Sequence, residues 1–263
     1  MLKKLLKYDL KNILKFLCIF YSIAIFFAIL TRIFSHIESS FIMTIISKIC
    51  SGITISMIVN IIINSLIRNW VRFKNNFYGD EAYLTHTLPI PKKTLYLSKF
   101  ITLITSMFTS ILVVSLALFI AYYSKANIEF LKNTLTIFAT TYNSSILKII
   151  IAFMFIFFLE ILNTASIGYT GILLGHKMAS NKIGFSVFYG FISYIILQLL
   201  VVLLTFMVAL FNKDLMNLFI TNEVINIDIL KLTIYLAFII YIVTIVITYI
   251  LNIKLFKKGV NID

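Results

Sequence analysis

Charged and polar residues are scarce in this chain, and each scarcity excludes something. Only 13% of its 263 residues are charged, 61% are hydrophobic, and the mean hydropathy is +1.03. That composition excludes an ordinary soluble globular domain. Acids are few, ten Asp and Glu against 23 Lys and Arg, and the formal net charge is +13. The excess does not point to nucleic acid, because the bases sit at the ends of apolar runs rather than on one soluble face. It reads as topology signal and as attraction to anionic lipid heads. The two cysteines, Cys18 and Cys50, lie inside apolar runs with no CxxC or Cys/His spacing, so they read as small buried thiols. The only prolines, Pro89 and Pro91, fall in one polar stretch. The basic N-terminus lacks a short apolar core ending in a cleavage site of small residues, and reads as retained.

Catalytic and cofactor motifs are missing too. There is no G-x-x-x-x-G-K-[ST] phosphate loop: the stretch Gly171 to Lys177 has a similar look but is one residue short and lacks the hydroxyl residue after the lysine. No H-E-x-x-H or G-x-S-x-G motif occurs. His36, His86 and His176 are far apart, with one on the opposite side of the membrane from the other two, so no three-histidine metal site is expected. The reading is no catalytic residue, no cofactor and no metal on this chain.

What is present is a series of apolar runs, each near or above the ~18–20 residues that cross a bilayer. The expected fold is an all-α integral membrane protein, a single six-helix transmembrane domain over residues 1–263. Spans are expected at Phe16–Ile33, Ile49–Ile67, Phe100–Tyr122, Ile146–Leu174, Phe185–Phe211 and Leu232–Ile253. The second run is long, and Lys48 divides it, with Phe41–Lys48 at the outer interface. Tyr123–Ser145 and Asn212–Lys231 read as polar loops. Six spans put both termini on one side. The termini and the second and fourth loops carry 16 of the 23 Lys and Arg. The positive-inside rule therefore predicts cytoplasmic termini in a multi-pass protein of the cell membrane.

Residues 1–15 are expected to form an interfacial amphipathic helix. Leu2, Leu6, Leu10, Ile13 and Leu17 share one face, and Lys4, Lys7, Lys11 and Lys15 the other. Asp9 falls beside the leucine stripe. It is either a tolerated edge position or the partner of a base on another cytoplasmic element, such as Arg68 or Arg72.

The cytoplasmic loop over residues 69–99 holds the polar break Asn76 to Pro91. Gly79 breaks the preceding helix, Asp80 can cap, Glu81 suits a helix N-terminus, and Pro89 ends what begins there. A helix of about two turns, Glu81–Thr87, is marginal alone and needs a dock. The other reading is a plain connecting turn, for which the loop is long.

One acid lies deep in a span, and a carboxylate there is a functional hypothesis. Glu160, Thr164, Gly168, Gly171 and Gly175 share about a quarter of their helix. Small residues on one face let another helix approach. Glu160 is either buried at a helix–helix interface or lines a polar translocation path. Asn163 is rotated off that stripe.

These residues resemble a family. The basic N-terminal helix with Lys7-Tyr8-Asp9-Leu10-Lys11, the six spans, and Gly79-Asp80-Glu81-Ala82-Tyr83-Leu84-Thr85-His86-Thr87-Leu88-Pro89 are similar to permease subunits of ABC-2-type exporters, whose first cytoplasmic loop carries G-[DE]-x-x-Y-L-x-x-T-L-P. Pro91 departs from that pattern, standing where a capping Ser or Thr is common. The resemblance implies a short cytoplasmic coupling helix that rests on a separate ATPase subunit. Gly79, Asp80, Glu81, Tyr83, Leu84, His86 and Pro89 would make that contact. It also implies a second six-span chain, identical or related, forming the path, with Glu160, Thr164, Gly168 and Gly171 on the path or at a helix interface.

The leading expectation is an ATP-driven export permease for a hydrophobic or amphipathic substrate: an antimicrobial peptide, a drug or a lipid-like compound. The alternatives are a membrane sensor or assembly module that binds a cytoplasmic partner without transport, and an intramembrane enzyme using Glu160.

Overall fold

A computed structural model of the chain describes residues 1–37, 41–212, 216 and 227–258. Among these the elements are α1 (Leu2–Ser35), α2 (Phe41–Phe77), α3 (Ala82–Thr87), α4 (Lys92–Tyr122), α5 (Lys125–Thr141), α6 (Ile146–Gly175), α7 (Lys182–Ala209) and α8 (Ile227–Lys257). Six are long and apolar enough to cross a membrane, namely α1, α2, α4, α6, α7 and, in α8, the stretch Leu232–Lys257. The protein is all-α and multi-pass.

Three boundaries differ from the sequence reading. Residues 1–15 do not form a separate helix: α1 runs unbroken from Leu2 to Ser35. The cause is a single buried stripe of Asp9, Ile13, Leu17, Tyr21, Ala24, Ala28 and Thr31, which carries one helical face across the expected division. Its 34 residues span about 51 Å at 1.5 Å each. Likewise α2 passes through Lys48 without a break, since a single exposed lysine does not interrupt a helix. The expected loop Tyr123–Ser145 is mostly helix α5. Ser124 starts it, its Oγ accepting from the Asn127 N–H at 3.1 Å and its carbonyl from the Ile128 N–H at 3.0 Å. The expected loop Asn212–Lys231 lies largely outside the described residues, as do residues 38–40.

The chain divides into two compact units, Met1–Asn76 with Leu88–Thr134, and Phe77–Thr87 with Leu135–Asp263. In the first, Ile13, Leu17, Ala24 and Ala28 of α1 pack with Ile58 and Ile61 of α2 and Val114, Ala117 and Ala121 of α4. Hydroxyls stitch the same seams: Tyr21 to Ser110 at 2.7 Å, Thr31 to Thr54 at 3.0 Å, and Ser51 to Tyr122 at 2.7 Å. Where water is absent, a hydroxyl that bonds across helices avoids the cost of an unpaired polar group.

The second unit is built on α6. From Leu159 to His176 that helix is almost wholly buried. One side faces α7 at backbone range. A Cβ on Gly171 would lie 2.6 Å from the Gly190 Cα and 2.6 Å from the Ser186 carbonyl oxygen. The other side faces α8 through a polar ladder. The Asn163 amide donates to Thr244 at 3.1 Å, Thr170 donates to Asn252 Oδ1 at 2.8 Å, and the Asn252 amide donates to the Ser166 carbonyl at 3.2 Å. Helix α7 keeps only Leu197 and Ala209 buried.

Candidate functional site

The polar break after α2 folds as a short helix on an aromatic floor. Phe77, Tyr78 and Ala82 are fully buried. The Phe77 ring sits 4.5 Å from that of Phe256 near the end of α8, and Tyr78 stacks at 4.1 Å on His176, the C-cap of α6. This floor supplies the dock that a six-residue helix needs. The turn into α3 is closed by the Gly79 carbonyl, which accepts from the Ala82 N–H at 2.8 Å. Burial pushes the Tyr78 phenol above the usual tyrosine range.

The other side of α3 faces outward. Tyr83 is 63% and Leu84 73% exposed, and Asp80, Glu81 and Pro89 are exposed beside them. Gly79 is half-buried at the edge. His86 turns the opposite way: its Nε2 lies 3.1 Å from the Phe77 carbonyl oxygen and its ring 6.2 Å from Phe256. So the loop leaves two acids, an aromatic ring and a leucine exposed, with His86 among the residues that hold it. Pro91 is the N-cap of α4 and makes no side-chain cap; its carbonyl accepts from the Thr94 N–H at 2.8 Å.

Within the first unit, the segments flanking this loop meet α1 at a buried ion cluster. Asp9 is 3% exposed. Its two carboxylate oxygens accept from Arg72 Nε at 3.2 Å and Lys99 Nζ at 2.6 Å, and Lys99 also donates to Asn76 Oδ1. Arg68 instead donates to Asn12 Oδ1 at 2.7 Å and lies over the Phe16 ring. Asp9 is therefore not a tolerated edge position but the centre of a cluster. Arg72 was among its foreseen partners; Lys99, 90 positions away, carries no local signal.

The α6 stripe separates into different environments. Gly171 and Gly175 face α7, whereas Thr164 and Gly168 are half-buried. Glu160 is exposed at the middle of α6. The polar side chains buried along this stretch are Asn163, Ser166 and Thr170, none of them a residue of the stripe, and Asn163 stands one position off its register. Nor are both cysteines buried thiols: Cys50 is buried but Cys18 lies on the exposed side of α1.

Fold and composition together define an all-α, multi-pass membrane protein whose polar chemistry is gathered at helix ends and along helix–helix seams. No known protein family matches the chain, and neither a curated protein nor a solved structure is similar to it.

Proposed function

We propose that this chain is the membrane-spanning permease subunit of an ATP-driven exporter of the ABC-2 type. The observation that carries the reading is the α3 loop: its underside is fixed by Phe77, Tyr78 and His86, while Asp80, Glu81, Tyr83 and Leu84 are left outward. A surface built this firmly and left uncovered suits a partner, and exposed aromatic residues are favoured anchors at interfaces. In this reading α3 is the coupling helix and a separate ATPase subunit is the partner. ATP hydrolysis there moves α3, and the motion switches the spans between inward and outward access. The basic residues at Lys3, Lys4, Lys7, Lys11 and Lys15 lie at the cytoplasmic surface, near anionic lipid. A second six-span chain completes the path, and the substrate is hydrophobic or amphipathic, matching the apolar spans. In this reading the protein lies in the cell membrane with both termini cytoplasmic, and ATP hydrolysis falls to the separate subunit.

The test is purification from the native membrane in mild detergent. The expected result is an ATPase subunit that co-purifies with the wild-type chain and is lost with Tyr83→Ala/Leu84→Ala, while thermal stability stays within about 0.5 kcal/mol because both side chains are exposed. Recovery of an active chain with no ATPase bound would sink the proposal. If the double variant lost a partner but export was never measurable, the sensor or assembly reading would replace it.

A further inference from the structure

The first unit contains a cavity of about 580 Å³ at the end opposite its Asp9 cluster. That volume is in the range of small-molecule sites. Its walls come from the last turn of α1, the early turns of α2, the end of α4 and the start of α5. In a chain so apolar, the lining is unusual. Ala121 is the one lining residue without a polar side-chain group. Hydroxyls of Ser35, Ser47 and Ser51, the amide of Asn127, the imidazole of His36 and the ammonium of Lys48 border it. No acid is among the lining residues, and among the described residues no carboxylate pairs with Lys48 or His36.

We infer that this cavity binds a phosphate-type oxyanion, either a phospholipid headgroup or a free phosphate species. Cationic donors among hydroxyls and an amide, with no carboxylate in the lining, match the acceptor-only surface of such a group. The Ser35 hydroxyl and one Asn127 amide hydrogen are already given to the Arg32 and Tyr122 carbonyls, each at 2.8 Å, so the cations carry the site. One feature opposes an anion. Helices α1 and α4 both end here, and helix C-termini carry partial negative charge. Those carbonyls are already engaged. Arg32 Nη1 donates to the Tyr123 carbonyl at 2.5 Å, the His36 and Ile37 backbone N–H groups donate to the Ile33 and Phe34 carbonyls at 3.2 and 3.3 Å, and His36 Nδ1 lies 3.0 Å from the Arg32 carbonyl oxygen. That leaves Lys48 Nζ and His36 Nε2 for a ligand. The walls are also held in place before any ligand arrives, by Ser51 to Tyr122 at 2.7 Å and Thr31 to Thr54 at 3.0 Å. The cavity is a property of the first unit and stands apart from the transport reading.

The experiment uses the full chain and a Lys48→Gln/His36→Gln variant. Both residues are exposed, so the variant should melt as the wild type does without ligand. One arm embeds each protein in phosphatidylglycerol nanodiscs and measures retained phospholipid by native mass spectrometry. The other, in lipid-free detergent, follows the melting temperature against inorganic phosphate, with chloride at equal ionic strength as control. Loss of two charge-assisted donors predicts binding at least about tenfold weaker in the variant in the arm that applies. Retained phospholipid in the wild type and not the variant identifies a headgroup site. A phosphate-specific rise in wild-type melting temperature, absent in the variant, identifies a site for the free ion. A wild-type chain that retains no phospholipid and ignores phosphate overturns the inference, and so does a variant indistinguishable from it. Should the double variant fail to fold, Lys48→Gln alone takes its place in both arms.

Discussion

The first unit sets a buried ion cluster between its helices where the second uses neutral amides, hydroxyls and bare backbone. In the first, Asp9 holds Arg72 and Lys99. In the second, α6 meets α8 through Asn163, Thr170 and Asn252 and meets α7 through Gly171. The difference follows from depth along the helices. Asp9, Arg72 and Lys99 lie toward the helix ends, beyond the apolar stretches, where the penalty for burying charge is partly relieved. Asn163 and Thr170 lie inside an apolar span, where a neutral partner costs far less than a charged one. The two units should therefore respond very differently to substitution.

The largest effect should come from Asp9→Asn. Removing the carboxylate charge leaves the buried Lys99 and the half-buried Arg72 facing each other, and breaking a buried pair this way costs about 3–5 kcal/mol. Thermal unfolding in detergent should show it as a large fall in melting temperature. A change under about 1 kcal/mol would mean that the cluster is solvated in the working protein.

Next is Gly171→Leu. The Cβ alone would sit 2.6 Å from backbone atoms of Gly190 and Ser186, which cannot swing away as a side-chain tip could. The two helices must separate, and overpacking of this kind costs about 1–3 kcal/mol. The same measurement checks it, and wild-type stability would show that α6 and α7 are not in backbone contact.

How much of this contrast was legible beforehand depends on range. Six spans could be read from run length alone, because a run of about 20 apolar residues has few alternatives. The close-packing role of Gly171 and Gly175 also showed in their spacing. Asp9 announced itself by falling beside leucines, and Arg72 could be named as its partner. Lys99 could not, since nothing local ties it to a residue 90 positions earlier. Asn163 stands off the glycine stripe because the helix has two packed sides, and Asn163 belongs to the one facing α8. The polar character of residues 123–145 hid α5, although Ser124 before Asn127 is a capping signal. Charge gives way to apolarity at Lys15, yet the backbone of α1 takes no notice of that change.

A smaller effect tests the neutral seam. Asn252→Val removes the acceptor for Thr170 and the donor to the Ser166 carbonyl. Interhelical hydrogen bonds inside membranes are worth about 0.6 kcal/mol each on average, so a loss near 1 kcal/mol is expected. If it equalled that of Asp9→Asn, the contrast between charged and neutral seams would collapse.

The effect that is smallest near neutral pH concerns the floor beneath α3 and grows only at high pH. Tyr78 is 2% exposed, and its burial raises the phenol above the ordinary tyrosine range. The unfolded chain loses that proton near pH 10, whereas the folded protein keeps it to higher pH. The unfolded state is then the one that binds fewer protons, so stability falls as pH rises past about 10, by up to ~1.4 kcal/mol per pH unit for this one group. Lysines titrate in the same range, so the informative quantity is a difference. Tyr78→Phe keeps the ring on His176 but has no proton to lose, and its stability should decline less steeply between about pH 10 and 12. Near pH 8 the two proteins should differ little. Equal slopes would show that the phenol reaches water, and that the surface carrying Tyr83 and Leu84 rests on a looser floor than the ring contacts indicate.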